Sequence, residues 1–239
     1  MNVTLQKTSL VDYPKKIAAV IFFIGCNLRC PWCHNHELAT GEVKDVLSLD
    51  QALAHIRKRR AVLGGVVLSG GEPTLYTGLT DIIATVKAMG LPVKLDTNGV
   101  NPAALEAVLQ EPPPDYIALD LKFAPDRYDG LLLHPAHEAG LASVGSALKQ
   151  SAALIHESGV AHEFRTLALP NMDEADVDAL APLVDEAPWL FRVFKAGHCL
   201  DPRWNTFADS SVKDVEKLVR RARELGKNAE GGSFGGEGN

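Results

Sequence analysis

The sequence predicts an α/β fold in which parallel strands alternate with helices. Six short β-branched and apolar runs are each followed by a longer segment with helical periodicity, which is typical of consecutive βα units. At 239 residues with 46% hydrophobic composition, the chain can bury one substantial core, since α/β barrels of roughly 200–250 residues commonly form one domain. Right-handed crossovers between such units give either an open sheet or part of a barrel.

The individual elements follow from local patterns. Apolar runs bounded by turn-forming residues predict strands, and we place them at 17–24, 65–68, 92–96, 116–121, 163–169 and 190–194. Helical periodicity predicts helices at 48–60, 77–89, 102–109, 143–158, 173–185 and 210–225. Asn101 before Pro102 is typical of a helix start, and Gly90, Gly159 and Gly226 are typical of helix ends.

Polar and glycine-rich segments follow the predicted strands. They are Gly25-Cys26 and residues 69–73, 96–99, 120–122 and 195–199, together with Arg165 inside the fifth strand. Because the carboxyl ends of parallel strands lie on one side of a sheet or barrel, ligands bind there. The sequence therefore predicts one functional site at this mouth.

Composition excludes several classes of function. The net charge is −6, with 24 basic and 30 acidic residues, so no excess of positive charge is present to bind a phosphate backbone, and we expect no nucleic-acid partner. No run of about 18 apolar residues and no signal-peptide pattern appear, so we expect a cytoplasmic protein without membrane contact. Three of the four cysteines are clustered, which favours metal binding over a disulfide framework.

The clustered cysteines are Cys26, Cys30 and Cys33, spaced C-x3-C-x2-C after the first strand. A short loop of this kind can bring three thiolates around one inorganic cluster, and three ligands leave a coordination position open for substrate. An alternative is a zinc knuckle in which His34 or His36 is the fourth ligand.

A second motif, Ser69-Gly-Gly-Glu-Pro-Thr-Leu75, follows the second strand. A diglycine lets the backbone approach a ligand closely, and Glu72 can accept hydrogen bonds from an amino group. Alone, this motif is more typical of a plain turn before a helix. Its position at the strand end next to the cysteine loop favours a ligand-binding role.

Together the two motifs resemble the radical S-adenosylmethionine (SAM) enzymes over nearly the whole chain. The resemblance implies a partial (β/α)6 TIM-type barrel with parallel strands, which we expect to form a single domain over residues 1–228. It implies a 4Fe-4S cluster on Cys26, Cys30 and Cys33, with the amino and carboxylate groups of SAM on the open iron. It also implies that Trp32 lies against adenine and that the methionyl amino group meets Gly70, Gly71, Glu72 and Pro73.

Two further segments resemble activating enzymes for glycyl-radical enzymes: Leu95-Asp-Thr-Asn-Gly99 and Leu119-Asp-Leu-Lys122. This narrower resemblance places Asp96, Thr97 and Asp120 near a monovalent cation and the SAM carboxylate, and Lys122 near that carboxylate. The residues alone are also consistent with a structural interpretation, in which the two aspartates are buried and cap strands and the lysine is solvated. Arg165 is a further candidate, because a guanidinium in the mouth can bind a carboxylate bidentately.

The flanking segments resemble the longer activating proteins of anaerobic ribonucleoside-triphosphate reductase. They are Thr8-Ser-Leu-Val-Asp-Tyr-Pro14, the loop 26–35, Glu163-Phe-Arg-Thr166 and residues 194–202. Lys15 and His36 depart from the pattern of that family, where glycine and proline are usual.

The resemblance implies that a reduced cluster gives an electron to SAM and that the resulting 5′-deoxyadenosyl radical removes hydrogen from a glycine Cα of a partner enzyme. It further implies anaerobic activity and a flavodoxin or ferredoxin as electron donor. Two alternatives are a radical SAM enzyme for a small molecule or peptide and a non-catalytic iron–sulfur or zinc module that senses redox state.

The remaining predictions concern the C-terminal residues and the loop after the last strand. Residues 229–239 are rich in glycine, and we expect a flexible tail there. His198 follows the last strand closely enough to reach the mouth. Cys199 beside it is more typical of a small core or loop residue than of a ligand.

Overall fold

The computed structural model describes residues 1–110, 112–128 and 143–232. Within these ranges one sheet of nine strands has the order β3-β1-β2-β4-β5-β6-β7-β8-β9. The strands are β1 Asn2–Ser9, β2 Ala18–Phe23, β3 Leu47–Ser48, β4 Gly65–Gly70, β5 Val93–Thr97, β6 Tyr116–Asp120, β7 His162–Ala168, β8 Trp189–Val193 and β9 Ala229–Gly232. The helices are α1 His36–Thr40, α2 Leu49–Arg59, α3 Leu79–Ala88, α4 Pro102–Val108, α5 Val144–Ser158, α6 Glu174–Leu180 and α7 Val212–Glu224.

The six predicted strands are confirmed as β2 and β4 to β8, each parallel to the next. The predicted α/β class with a mostly parallel sheet, consistent with a partial TIM-type barrel, is therefore confirmed. The six predicted helices correspond to α2 to α7. Side-chain caps begin several of them, as at Ser48 and Ser211, where capping boxes satisfy the first free backbone N–H groups.

The structure differs from the prediction at one edge of the sheet and in the length of one helix. Strands β1 and β3 add an antiparallel edge beside β2. The helix predicted over 173–185 is shorter, because the chain tightens into a 3-10 turn at Ala181–Leu183, where Pro182 supplies no backbone donor.

The flexible tail predicted from residue 229 is wrong for its first four residues. Ala229–Gly232 form β9, which pairs with β8 in parallel. A Cβ on Gly231 would lie 2.9 Å from the Val215 side chain, so this glycine provides close packing against α7 rather than flexibility. The rest of that predicted tail, residues 233–239, lies outside the described residues.

The two faces of the sheet differ in character. The face toward the helices forms the large hydrophobic core, which includes Ile21, Leu68 and Leu95. The opposite face carries a small cluster of Tyr13, Ala18, Val20 and Val67, and beyond it a group of charged side chains near the strand ends. A second core and an ionic network therefore cover this face of the sheet, which we call the barrel interior.

None of the helices in the described ranges is long and apolar enough to cross a membrane.

Candidate functional site

The cysteine loop lies between β2 and α1 and is fixed by backbone hydrogen bonds from two other strand ends. The N–H of Glu72 donates to the carbonyl of Gly25 (2.9 Å). On the other side, the N–H of Leu200 donates to Cys33 O (3.1 Å) and the N–H of Asp201 to Pro31 O (2.9 Å). The loops after β4 and β8 therefore hold the cysteine loop between them.

Cys30 is buried, and Cys26 and Cys33 are half-buried. Burial raises the pKa of Cys26 to about 11 and that of Cys30 to about 12, and it also raises the pKa of Cys33, while the nearby Lys122 ammonium lowers all three. Because thiolates are the metal-binding form, these side chains need a cationic metal group to hold them deprotonated.

The spacing of the sulfurs bears on which metal group fits. Among the described residues, the three ligand atoms that come within 4.8 Å of one another belong to His36, Glu37 and His198, and the cysteine sulfurs form no such group. Ligands of a single tetrahedral zinc ion, with Zn–S bonds of about 2.3 Å, would lie within that distance. The cysteines do not show the spacing of a single-ion site, which does not support the zinc-knuckle alternative.

The diglycine of the second motif permits close contact between the ends of β2 and β4. Gly70 has φ +121°, which L side chains rarely adopt. A Cβ on Gly71 would lie 2.0 Å from Gly25 O, and the Gly71 N–H donates to Phe23 O (2.9 Å). Glycine is therefore required here for the geometry of the cysteine loop itself.

Glu72 is buried, and its carboxylate points toward the loop after β5. Oε1 accepts from the N–H and the hydroxyl of Thr74 (3.1 and 2.6 Å) and from the Thr97 hydroxyl (2.8 Å), and Oε2 accepts from the Asn98 N–H (2.8 Å). Burial raises the pKa of Glu72 against the effect of these bonds. The carboxylate thus joins the β4 and β5 loops, and its contact with a substrate amino group stays a prediction. Pro73, also buried, begins a 3-10 turn.

The predicted residues Asp96, Asp120, Lys122 and Arg165 come together in one ionic network. Arg165 Nε donates to Asp120 Oδ1 (2.9 Å), and its Nη1 lies 3.3 Å from Asp96 Oδ2. Lys122 Nζ donates to Asp120 Oδ2 (3.0 Å). Asp120 and Arg165 are register partners on β6 and β7, which explains their contact.

Charge in this network shifts several pKa values. Burial alone would raise the pKa of Asp120, but Arg165 and Lys122 outweigh burial and hold that pKa at about 2. Arg165 and Lys94 hold the pKa of Asp96 below its usual range in the same way, against the opposing effect of its burial. The pKa of Lys122 is raised, because Asp120 outweighs the effect of burial. Both carboxylates are therefore anionic at neutral pH.

Lys122 is held in place through its backbone. The Tyr128 hydroxyl accepts hydrogen bonds from the N–H of Lys122 (2.6 Å) and of Phe123 (3.4 Å). Tyr128 is fully buried. The backbone of Lys122 at the mouth is thus anchored by a residue six positions later.

The remaining predicted contacts have other partners. Trp32 is 4% exposed and packs edge-on against Phe123, with Trp204 on another side; its stacking on adenine stays a prediction. The Thr97 hydroxyl donates to Glu72, and Arg165 supplies the positive charge between Asp96 and Asp120. The monovalent cation expected near Asp96, Thr97 and Asp120 stays a prediction.

Sequence reasoning missed three residues of this site. Lys94 lies on β5 at the position that shares a face with Asp96, a spacing of two that strand alternation makes visible in the sequence. The Asn98 side chain donates to Asn27 Oδ1 in the cysteine loop (2.8 Å). Tyr128 carries no sequence signal, because its contact depends on how the chain after β6 turns back.

Together these features define a class of protein: an α/β enzyme scaffold in which the first parallel strand, β2, is followed by a three-cysteine loop. The later strand ends add a diglycine and a charged network, which are suited to a zwitterionic ligand bearing amino and carboxylate groups.

The sequence model of the Radical SAM superfamily matches residues 20–184, and the chain belongs to this family. It is therefore a radical SAM enzyme, whose family uses a 4Fe-4S cluster and SAM, and the alternative of a non-catalytic module no longer applies. A Methanocaldococcus jannaschii protein provisionally named a glycyl-radical enzyme activating enzyme is 35% identical over 219 residues, covering 90% of this chain and 89% of the relative. The pyruvate formate-lyase-activating enzyme of Clostridium pasteurianum is 32% identical over 52% of each chain.

Solved structures agree in fold. Streptococcus suis SuiB bound to S-adenosylmethionine superposes with a TM-score of 0.63 at 13% identity, covering 91% of this chain and 52% of SuiB. The enzyme anSMEcpe with bound AdoMet gives a TM-score of 0.58 at 18% identity, covering 85% of this chain and 57% of that one. The chain thus spans about half the length of these structures, and at such identities the likeness concerns the fold alone.

Proposed function

We propose that this enzyme generates a glycyl radical on a partner enzyme, with anaerobic ribonucleoside-triphosphate reductase as that partner. The observation that carries the proposal is the relative named for glycyl-radical enzyme activation, which matches over 90% of this chain. The choice of the reductase rests on the flanking segments that resemble its activating proteins. A flavodoxin or ferredoxin is the proposed electron donor, and the cytoplasm the proposed location.

Two of the flanking segments make contacts around the site. Asp12, in the first segment, accepts a hydrogen bond from Lys94 Nζ through its carbonyl (2.8 Å), and Tyr13 packs in the barrel interior. Leu200 and Asp201, in the last segment, fix the cysteine loop. These two segments thus contact the charged network and the cysteine loop.

The cysteines and the cationic side chains of the site have different roles in the proposed chemistry. Cys26, Cys30 and Cys33 would hold the 4Fe-4S cluster, which when bound supplies the electron that cleaves SAM reductively. Lys122 and Arg165 offer cationic groups for the SAM carboxylate, although both already contact Asp120. A SAM carboxylate would therefore join an existing charged network whose geometry is set before binding.

The test is a mixture of cluster-reconstituted enzyme, SAM and a chemical reductant with each candidate partner, kept free of oxygen. Electron paramagnetic resonance should show a glycyl radical on the reductase. Cys30→Ala should abolish the signal, whereas Cys199→Ala, which removes a buried thiol outside the triad, should preserve it. SAM cleavage without a glycyl signal on the reductase would contradict the choice of partner. A signal on pyruvate formate-lyase alone would identify that enzyme as the partner instead.

A second candidate function is radical SAM chemistry on a small molecule. The 7-carboxy-7-deazaguanine synthase of Neisseria meningitidis is 31% identical over 124 residues, covering 52% of this chain and of the relative. The match to the activating enzyme covers far more of the chain, so we rank this function second. Release of 5′-deoxyadenosine that depends on an added small substrate, with no protein partner present, would favour it.

A further inference from the structure

A cluster of three metal-ligand side chains lies beside the cysteine loop and outside the charged network. His198 Nε2 is 3.0 Å from Glu37 Oε1, and His36 Nδ1 is 3.8 Å from Glu37 Oε2. The two imidazole rings have centroids 4.6 Å apart. The three ligand atoms lie within 4.8 Å of one another, which is the spacing of donors around a single ion.

The three residues come from two separate segments. His36 and Glu37 begin α1, directly after the cysteine loop, and His198 lies in the loop that follows β8. His198 has φ +58°, a left-handed conformation that is uncommon for histidine, and it follows Gly197 at φ +90°. This backbone turn brings an imidazole from a distant loop to the start of α1.

We propose that His36, Glu37 and His198 bind a divalent transition-metal ion of the zinc class. Two imidazoles and a carboxylate are a typical donor set for such an ion, and solvent completes the coordination where three protein ligands are present. His198 is 65% exposed on its side chain and Glu37 40%, so an ion can reach the site from solvent. This inference is independent of the proposed glycyl-radical activity.

The site acts as a clamp on the cysteine loop. The same two segments already meet through His34 Nε2, which lies 2.8 Å from Lys195 O, and through the two backbone bonds from residues 200 and 201. An ion shared by α1 and the β8 loop adds a crosslink next to these bonds. Opening of the cysteine loop would break that crosslink, so bound metal should slow the loss of iron from the cluster.

The first experiment titrates cluster-reconstituted, oxygen-free enzyme with zinc alone in a calorimeter, with iron content measured before and after. The wild type should bind about one zinc per chain at this site, the one such donor group among the described residues, without loss of iron. His198→Gly removes a ligand while accepting the positive φ, and it should weaken binding at least 10-fold. His156→Ala, which removes another exposed imidazole (63%), should bind zinc as the wild type does.

The second experiment measures iron release to an iron-specific chelator. At zinc concentrations ten times Kd, release from the wild type should slow by about 10-fold, and zinc should have no effect on His198→Gly. Equal zinc affinity in wild type and His198→Gly, or uptake of zinc that displaces iron, would overturn the site. Iron release that ignores zinc in the wild type would overturn the clamp.

Discussion

Lys94 and Asp96 form an ion pair inside the barrel, with Lys94 Nζ 2.9 Å from Asp96 Oδ1 and both side chains buried. Lys94 Nζ also lies 3.4 Å from Glu163 Oε1 and donates to the carbonyl of Asp12. One ammonium group therefore contacts two buried carboxylates, of which Asp96 also lies near Arg165, and it anchors the loop that contains Asp12. Its removal leaves charges that water cannot reach.

We expect Lys94→Met to lower the free energy of unfolding by about 3–5 kcal/mol, because it leaves Asp96 and Glu163 buried with less compensation. Urea unfolding followed by circular dichroism checks this. Lys195→Met is the matched control, since Lys195 is 57% exposed in its pair with Asp209 and should contribute less than about 1 kcal/mol. Equal losses in the two variants would contradict a structural role for the buried pair.

Gly71→Ala should prevent stable cluster binding. The new Cβ would lie 2.0 Å from Gly25 O, a backbone atom that cannot move without displacing the cysteine loop. We expect iron per chain after reconstitution to fall well below that of the wild type, as measured by iron analysis and visible absorbance.

The control for this prediction is Gly90→Ala. Gly90 has φ +81° and no heavy atom within 4 Å of an added Cβ, so this change introduces backbone strain of about 1–2 kcal/mol without a clash. It should lower stability and leave iron binding intact. Similar iron loss in both variants would mean that general instability, rather than the contact with Gly25, causes the defect.

The sequence was sufficient to predict the parallel strands and the residues at their ends, because strand periodicity and turn chemistry are local. Asp96, Asp120 and Arg165 were placed near one another from strand ends alone. What local pattern could not show is how these groups pair. The partners of Glu72 and the contact of Tyr128 with Lys122 depend on loop paths, and the strand Ala229–Gly232 depends on packing against α7.

Stability should depend on pH through Asp120 at acid pH. Its pKa in the folded protein is about 2, below the ordinary value of 3.8, so its ion pairs stabilise the fold above pH 4, and this contribution is lost as the pH falls toward 2. Between pH 5 and 2, the free energy of unfolding should fall by about 2 kcal/mol more in the wild type than in Asp120→Asn. Urea unfolding at each pH measures the difference.

Asp45→Asn is the control for removal of an acidic charge, since Asp45 lies exposed in the loop before β3. It should follow the wild-type pH dependence. Parallel curves for the wild type and Asp120→Asn would show that Arg165 and Lys122 do not stabilise the Asp120 carboxylate in the folded protein.

With Lys122 as the proposed partner of the SAM carboxylate, Tyr128→Phe should weaken SAM binding indirectly, because the Tyr128 hydroxyl accepts a hydrogen bond from the backbone N–H of Lys122 (2.6 Å). An unpaired buried donor costs about 1–3 kcal/mol, which the chain can relieve by shifting Lys122. We expect KM for SAM to rise about 10-fold in the reductive cleavage assay, with a smaller change in kcat. Tyr76→Phe, which removes a hydroxyl from a partly buried ring, should leave both constants unchanged. A fall in kcat at constant KM would instead place Tyr128 in the chemical step, and unchanged constants would show that Lys122 keeps its direction without this hydrogen bond.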